Sequence, residues 1–208
     1  MRRPIKNFGY NYNMCEKIEK TKKKDNDSCD NGGIETNDNH IYFYDEINPF
    51  TILSLRKEIY NVSNDQKKLK VTFSNLDLNI FLHINSGGGF VTDGLNAMDI
   101  IMNNSVPITT IIEGISASSA TLLSMAGYHR QMQKNSIMLI HQIRSFMWGT
   151  QAELEDEIQN IKLLETKILD FYEKRSKLSR KELKEMMKTE KTFDSKDALK
   201  YGFIDEII

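Results

Sequence analysis

Two side chains in this 208-residue sequence have the chemistry of a nucleophile and its base, Ser118 and His141. Ser118 sits in Gly114-Ile115-Ser116-Ala117-Ser118-Ser119-Ala120, a run made mostly of small residues. The β-branched stretch from Val106 to Ile112 precedes it and predicts a buried strand. The apolar run Thr121, Leu122, Leu123 and Met125 follows it and predicts a helix. A serine at such a junction can be approached by a carbonyl, because its neighbours are small. A helix starting near Ser118 would also aim free N–H groups and a positive dipole end at a developing oxyanion. His141 ends a second expected strand, Ser136 to Ile140, and two strand ends can meet as a nucleophile–base pair. Serines are equally favoured as helix N-caps, and this stretch alone does not separate the two readings.

A second element bears on the choice. Asn85-Ser86-Gly87-Gly88-Gly89 follows an apolar run, Ile80 to Ile84, and precedes a helix expected to start near Thr92. Consecutive glycines after a buried strand permit close backbone approach and leave N–H groups to line a groove. A phosphate-binding turn is not indicated. The sequence lacks Gly-Lys-Ser/Thr and the spaced Gly-x-Gly-x-x-Gly pattern there.

The elements that must position these residues alternate. Ile41 to Tyr44 predicts a strand, and Ile47 to Tyr60 a helix. Asn61 to Lys70 is polar and predicts an exposed loop. Leu78 to Ile84 is apolar on both faces, as in a covered parallel strand. Gly94 to Asn103 predicts a helix with Leu95, Met98, Ile101 and Met102 facing in. Strand and helix alternating from 41 to 141 imply right-handed βαβ units stacked on one another. Beyond His141 come Phe146, Met147 and Trp148, then a helix expected over Thr150 to Lys174. Its stripe is Leu154, Ile158, Ile161, Leu164, Ile168 and Phe171, the spacing of one helix face. Leu178 to Met187 predicts a helix capped by Ser179 with Glu182 three residues on. A short helix at Ser195 to Lys200 and a last strand at Phe203 to Ile208 complete the chain.

Composition narrows the function classes. A net charge of −1 does not call for nucleic acid or an anionic membrane. No apolar run is long enough for a transmembrane helix, and no secretory signal is visible. Cys15 and Cys29 show neither metal spacing nor a disulfide framework, which favours a reducing, cytoplasmic setting, with an organelle stroma as the alternative. Residues 1–38 are rich in Lys, Asn and Asp and poor in apolar side chains. They are expected to be disordered or partner-dependent, with the folded domain spanning 39–208.

The motifs together resemble the proteolytic subunit of the Clp protease, a serine peptidase family. The family's Asn-Ser-Pro-Gly-Gly is similar to Asn85-Ser86-Gly87-Gly88-Gly89, and its Gly-x-Ala-Ala-Ser-Met to Gly114 through Ser119. Its Asn-Ser-x-x-Met-Ile-His-Gln resembles Asn135 through Gln142. Its Ala-x-x-Tyr-Gly-x-x-Asp is similar to Ala198 through Asp205. The matches fall in family order over about residues 40–208. The resemblance implies an α/β ClpP/crotonase-like fold, a superhelix of stacked βαβ units with a protruding handle helix. It implies Ser118 as nucleophile and His141 as general base. It places oxyanion donors at Gly89 and Ser119, and substrate extended along Gly88 to Val91. It implies no cofactor and no metal in this chain, with ATP spent by a partner AAA+ unfoldase. It also implies self-association into rings, with heptameric and stacked rings as the family form, and unfolded polypeptide as substrate. After His-Gln the family strand carries glycines, where this chain carries Phe146-Met147-Trp148.

The family's triad Asp corresponds to Lys191, which cannot accept the histidine N–H. Glu190 and Asp194 are adjacent, and a one-residue shift would bring Glu190 in as the third member. Two alternatives to an active peptidase stand beside it. One is a catalytically weakened or inactive subunit of the same fold, which Lys191 favours. The other is an acyl-CoA enzyme of the crotonase fold, which has no need of a serine–histidine pair.

Overall fold

The computed structural model describes residues 33–208. Eight strands and six helices lie among them. The chain enters through β1 (Ile34–Asn37) and turns back into β2 (His40–Phe43) by an antiparallel hairpin. Asp38 takes the left-handed conformation of that tight turn, at φ 53°. The folded chain therefore begins before His40. For residues 34–37 the expectation of disorder is corrected, because Ile34 is buried under the sheet and the strand backbone is paired. The rest of the expected disordered segment, residues 1–32, lies outside the described residues.

From β2 onward the sheet is built of parallel neighbours, apart from the short β7, which runs antiparallel to β6. Helix α1 (Pro49–Thr72) crosses to β3 (Ile80–Ser86), and α2 (Val91–Met102) crosses to β4 (Ile108–Ala117). Helix α3 (Ala120–Ala126) leads to β5 (His129–Met132), which pairs with the first half of β4. β6 (Ile137–Leu139) pairs with its second half. The long helix α4 (Gln151–Arg175) is followed by α5 (Arg180–Met187), β7 (Phe193–Asp194), α6 (Ser195–Tyr201) and β8 (Glu206–Ile207). Ile41, Phe43, Leu82, Ile84, Ile108 and Leu123 are among the buried side chains that weld helices to sheet.

Several boundaries differ from the sequence-based expectation. Residues 61–70 are helix, not loop. Asn48 caps α1 through a capping box with Thr51, and good helix formers carry it onward past its packed part. Only Val62 and the hydrogen-bonded Ser63 are buried in that extension, which is why no apolar stripe announced it. β5 went unforeseen because His129, Arg130 and Gln131 are polar; their partners are Asp205 and Glu206 beside the sheet edge. The capping box of Ser179 with Glu182 forms as read from the sequence.

The difference that matters for the site is in β4, which runs on to Ala117 rather than ending at Ile112. Its register against β3 breaks between the pairs Ile84–Ile112 and Ser86–Ser116. Gly114 lies in that irregularity at φ 78°, where an added Cβ would meet Asn85 Oδ1 at 2.9 Å. Ser136 Oγ closes it, accepting from Gly114 N–H at 2.8 Å and donating to the Ile112 carbonyl at 3.1 Å. Asn85 Oδ1 accepts from Ile115 N–H at 3.2 Å. The irregularity lets β4 leave β5 and take β6 as its new neighbour. Gly114→Ala is expected to destabilise the fold by about 1–3 kcal/mol, the usual cost of a left-handed non-glycine residue. Chemical denaturation checks this; a midpoint equal to wild type contradicts it.

Candidate active site

Position follows from register. Ala117 is paired with Leu139 at the C-terminal ends of the parallel strands β4 and β6. Ser118 is the next residue on one strand, and His141 follows Ile140 on the other. Ser118 N–H donates to the Leu139 carbonyl at 2.9 Å, which ties the two ends together. Both residues line one cavity of about 170 Å³, with Gly89, Ser119 and Leu122 on the same wall. Apolar walls from Ile168 and Tyr172 of α4 close its far side.

Ser118 is held at φ 55°, in the left-handed region that side chains rarely adopt. Such a turn lifts a side chain off the end of a strand and costs energy that the surroundings must supply. The glycine loop fits against it. Gly88, at φ 97°, lies so close that an added Cβ would meet the Ala117 carbonyl oxygen at 2.6 Å and Ser118 Cβ at 2.7 Å. Gly88 is otherwise occupied, donating its N–H to Ser86 Oγ at 3.1 Å and giving its carbonyl to Ile47 N–H at 2.8 Å. Its close approach shapes the groove beside Ser118, with its own N–H and carbonyl already paired. Among the described residues, no hydrogen bond uses the N–H of Gly89 or of Ser119. Both residues line the cavity beside Ser118.

His141 is nearly buried, its side chain 14% exposed. No hydrogen bond joins it to Ser118 Oγ among the described residues, a spacing common in unliganded hydrolases, where such bonds tighten around substrate. On the other side of the ring, Glu190 Oε1 lies 3.8 Å from His141 Nδ1. The register explains the approach. β7 runs antiparallel to β6, with Met138 opposite Phe193 and Ile137 opposite Asp194. The ladder ends at Phe193, and beyond it the Gln142 N–H donates to the Met187 carbonyl at 2.9 Å, so the two segments stay side by side. Between these two anchors Glu190, one residue before the position of the family's Asp, comes near the histidine. Lys191 is exposed and makes no ion pair among the described residues. Asp194 is committed elsewhere, accepting from Asp197 N–H at 2.9 Å as the cap of α6.

The residue that sequence reasoning missed is Arg144. Its guanidinium ion-pairs with the same Glu190 oxygen that faces His141. Burial holds the His141 pKa below its ordinary value, Arg144 lowers it further, and Glu190 opposes both. Arg144 likewise holds the Glu190 carboxyl below the usual range. Its only sequence signal was its place three residues beyond His141, in the segment that departs from the family's glycines.

This geometry can be set beside known proteins. The family model for Clp protease matches residues 37–208. The chain belongs to the Clp protease family. It is 32% identical over 136 residues to the ATP-dependent Clp protease proteolytic subunit of Deinococcus radiodurans, covering 64% of this chain and 67% of that protein. It is 34% identical over 133 residues to the subunit of the same name from Streptococcus mutans, covering 62% and 68%. A solved structure of a ClpP1 mutant from Listeria monocytogenes superposes with a TM-score of 0.70 at 22% identity, over 82% of this chain and 91% of that one, which supports the fold. The α/β ClpP-like architecture inferred from the motifs is thus the observed one, and membership of the Clp protease family brings with it serine-type endopeptidase chemistry. No described helix is long and apolar enough to cross a membrane. Among the described residues no cluster of His, Cys, Asp or Glu could hold a metal ion.

His141 is expected to titrate below the ordinary histidine range, so that it is neutral, and competent as a base, to lower pH than a free imidazole. Arg144→Gln removes one lowering influence and frees Glu190, so the titration should move up. NMR titration of the His141 ring checks both; a wild-type value at or above 6.5, the ordinary one, or a downward move in the variant contradicts the electrostatics.

Proposed function

We propose that this chain is a serine endopeptidase subunit that cuts unfolded polypeptides inside an oligomeric chamber. The observation that carries the reading is the pairing of β4 and β6, which brings Ser118 and His141 to adjoining strand ends over one cavity with two unused amides. Ser118 Oγ attacks the scissile carbonyl carbon while His141 takes its proton. The N–H groups of Gly89 and Ser119 receive the oxyanion. His141 then gives the proton to the leaving amine, and water repeats the sequence on the acyl-enzyme. Glu190 orients the imidazole and favours its charged form. Substrate lies extended along Gly88 to Val91, on the edge not taken by the Gly89–Ile47 bridge. The reaction asks for no cofactor.

The assembly belongs to the same proposal. Among the described residues the apolar stripe of α4 is only partly covered in its N-terminal half, with Ile158 40% exposed, although it continues into buried Ile168 and Phe171. Phe146 and Trp148 are 93% and 91% exposed. Surfaces of this kind mark interfaces. The chain self-associates into rings, heptameric and stacked. A partner AAA+ unfoldase spends ATP to feed it unfolded protein in the cytoplasm. The apolar cluster in place of the family's glycines gives this interface its own packing.

A fluorophosphonate probe tests the chemistry. Wild type should be labelled at Ser118, Ser118→Ala should be neither labelled nor active while keeping its fold, and Glu190→Gln should lose orders of magnitude in turnover. An unlabelled, inactive wild type would indicate the non-catalytic subunit instead.

Light scattering at micromolar concentration should give a multiple of the chain mass. A monomer there refutes the assembly.

A further inference from the structure

The left-handed turn at Ser118 is strained, and the structure holds it by a route that starts in the long helix. The Ser118 carbonyl accepts two hydrogen bonds, from Thr121 N–H at 3.0 Å and from the Thr121 hydroxyl at 2.5 Å. A hydroxyl has one proton, so Thr121 Oγ1, having donated it to Ser118, can only accept from its other partner. That partner is the Tyr172 hydroxyl of α4, at 2.5 Å. The proton order is fixed: Tyr172 O–H donates to Thr121, and Thr121 O–H donates to the Ser118 carbonyl. Tyr172 is fully enclosed, 3% exposed, and burial pushes its pKa up to about 12, so the phenol stays a donor across the working range of pH.

The other end of the seven-residue helix α3 is held by the same helix α4. Arg175 donates from Nε to the Met125 carbonyl at 2.9 Å and from Nη2 to the Gly127 carbonyl. A cation at the C-terminal carbonyls also suits the helix dipole. Residues 172 and 175 are one turn apart on α4, so they present to α3 together. One helix grips both ends of the segment that follows the nucleophile.

We infer that Tyr172 is a positioning residue, which acts through Thr121 to hold the Ser118 peptide in the turn that presents its hydroxyl. Tyr172 and the Thr121 hydroxyl touch no reacting atom in this scheme. They fix the carbonyl side of Ser118 while β6 fixes the amide side through Leu139. The kinetic half of the inference rests on the peptidase reading above; the conformational half does not.

Two measurements on the full chain separate them. Amide hydrogen exchange over residues 118–122 reads the clamp, and the rate of fluorophosphonate labelling reads its effect on Ser118. Tyr172→Phe keeps the ring and removes only the hydroxyl. It should speed exchange in 118–122 and slow labelling by about fivefold to tenfold, the range of one buried hydrogen bond. Thr121→Val should do at least as much, and Thr121→Ser should restore wild-type behaviour. In the Thr121→Val background, Tyr172→Phe should add nothing further, since the two act in series. Turnover should fall in kcat, with KM near wild type, because substrate contacts are unchanged. Exchange unaltered by Tyr172→Phe, or additive effects of the two substitutions, overturns the inference. If exchange responds as expected but wild type is not labelled, the clamp stands and the peptidase reading fails.

Discussion

One backbone contact organises the site, the parallel pairing of the end of β4 with β6. It exists because β4 does not stop where its β-branched run stops. Gly114 and the hydrogen bonds of Asn85 and Ser136 let the strand change neighbours, from β5 to β6. Once Ala117 faces Leu139, everything else is a matter of residue count. Ser118 and His141 stand at the open end of a parallel pair, where open α/β sheets leave a crevice. The glycine loop at the end of β3, the next strand over, supplies the third side.

The electrostatics of the crevice are set by one buried ring between two exposed charges. His141 has lost most of its water, and desolvation favours its neutral form. A general base needs that form before the reaction, and needs stabilisation of the charged form during it. Glu190 can supply the second, but it does so against Arg144, which holds the same carboxylate oxygen. Both partners are more than half exposed, so solvent screening weakens this ion pair and the carboxylate can exchange between arginine and histidine at small cost. The carboxylate that faces His141 is therefore shared with Arg144 rather than held by the histidine alone.

The long helix α4 serves two surfaces at once. Its C-terminal part packs on the core through Ile168, Leu169 and Phe171 and grips α3 through Tyr172 and Arg175. Its N-terminal part carries the same apolar stripe into solvent.

Much of this was legible in the sequence, and the reasons differ by element. Small residues around Ser118 and in the glycine loop marked candidates but left an N-cap reading open; the ordered motifs that resemble the Clp protease family singled out Ser118 and His141, and the fold brings both to one cavity. The α/β alternation followed from apolar runs, and the Ser179–Glu182 cap from local hydrogen bonding alone. The polar strand β5 and the polar half of α1 were hidden, since their partners lie elsewhere in the chain or in solvent. The sequence by itself determined a run of small residues around Ser118 between a strand and a helix, and His141 at the end of the following strand, because these are requirements of local backbone geometry. Only the tertiary structure decided that Glu190 rather than Lys191 faces His141, that Arg144 shares that carboxylate, and that Tyr172 reaches Thr121. Those depend on how segments far apart in the chain pack beside β6 and α3, which no local pattern of residues encodes.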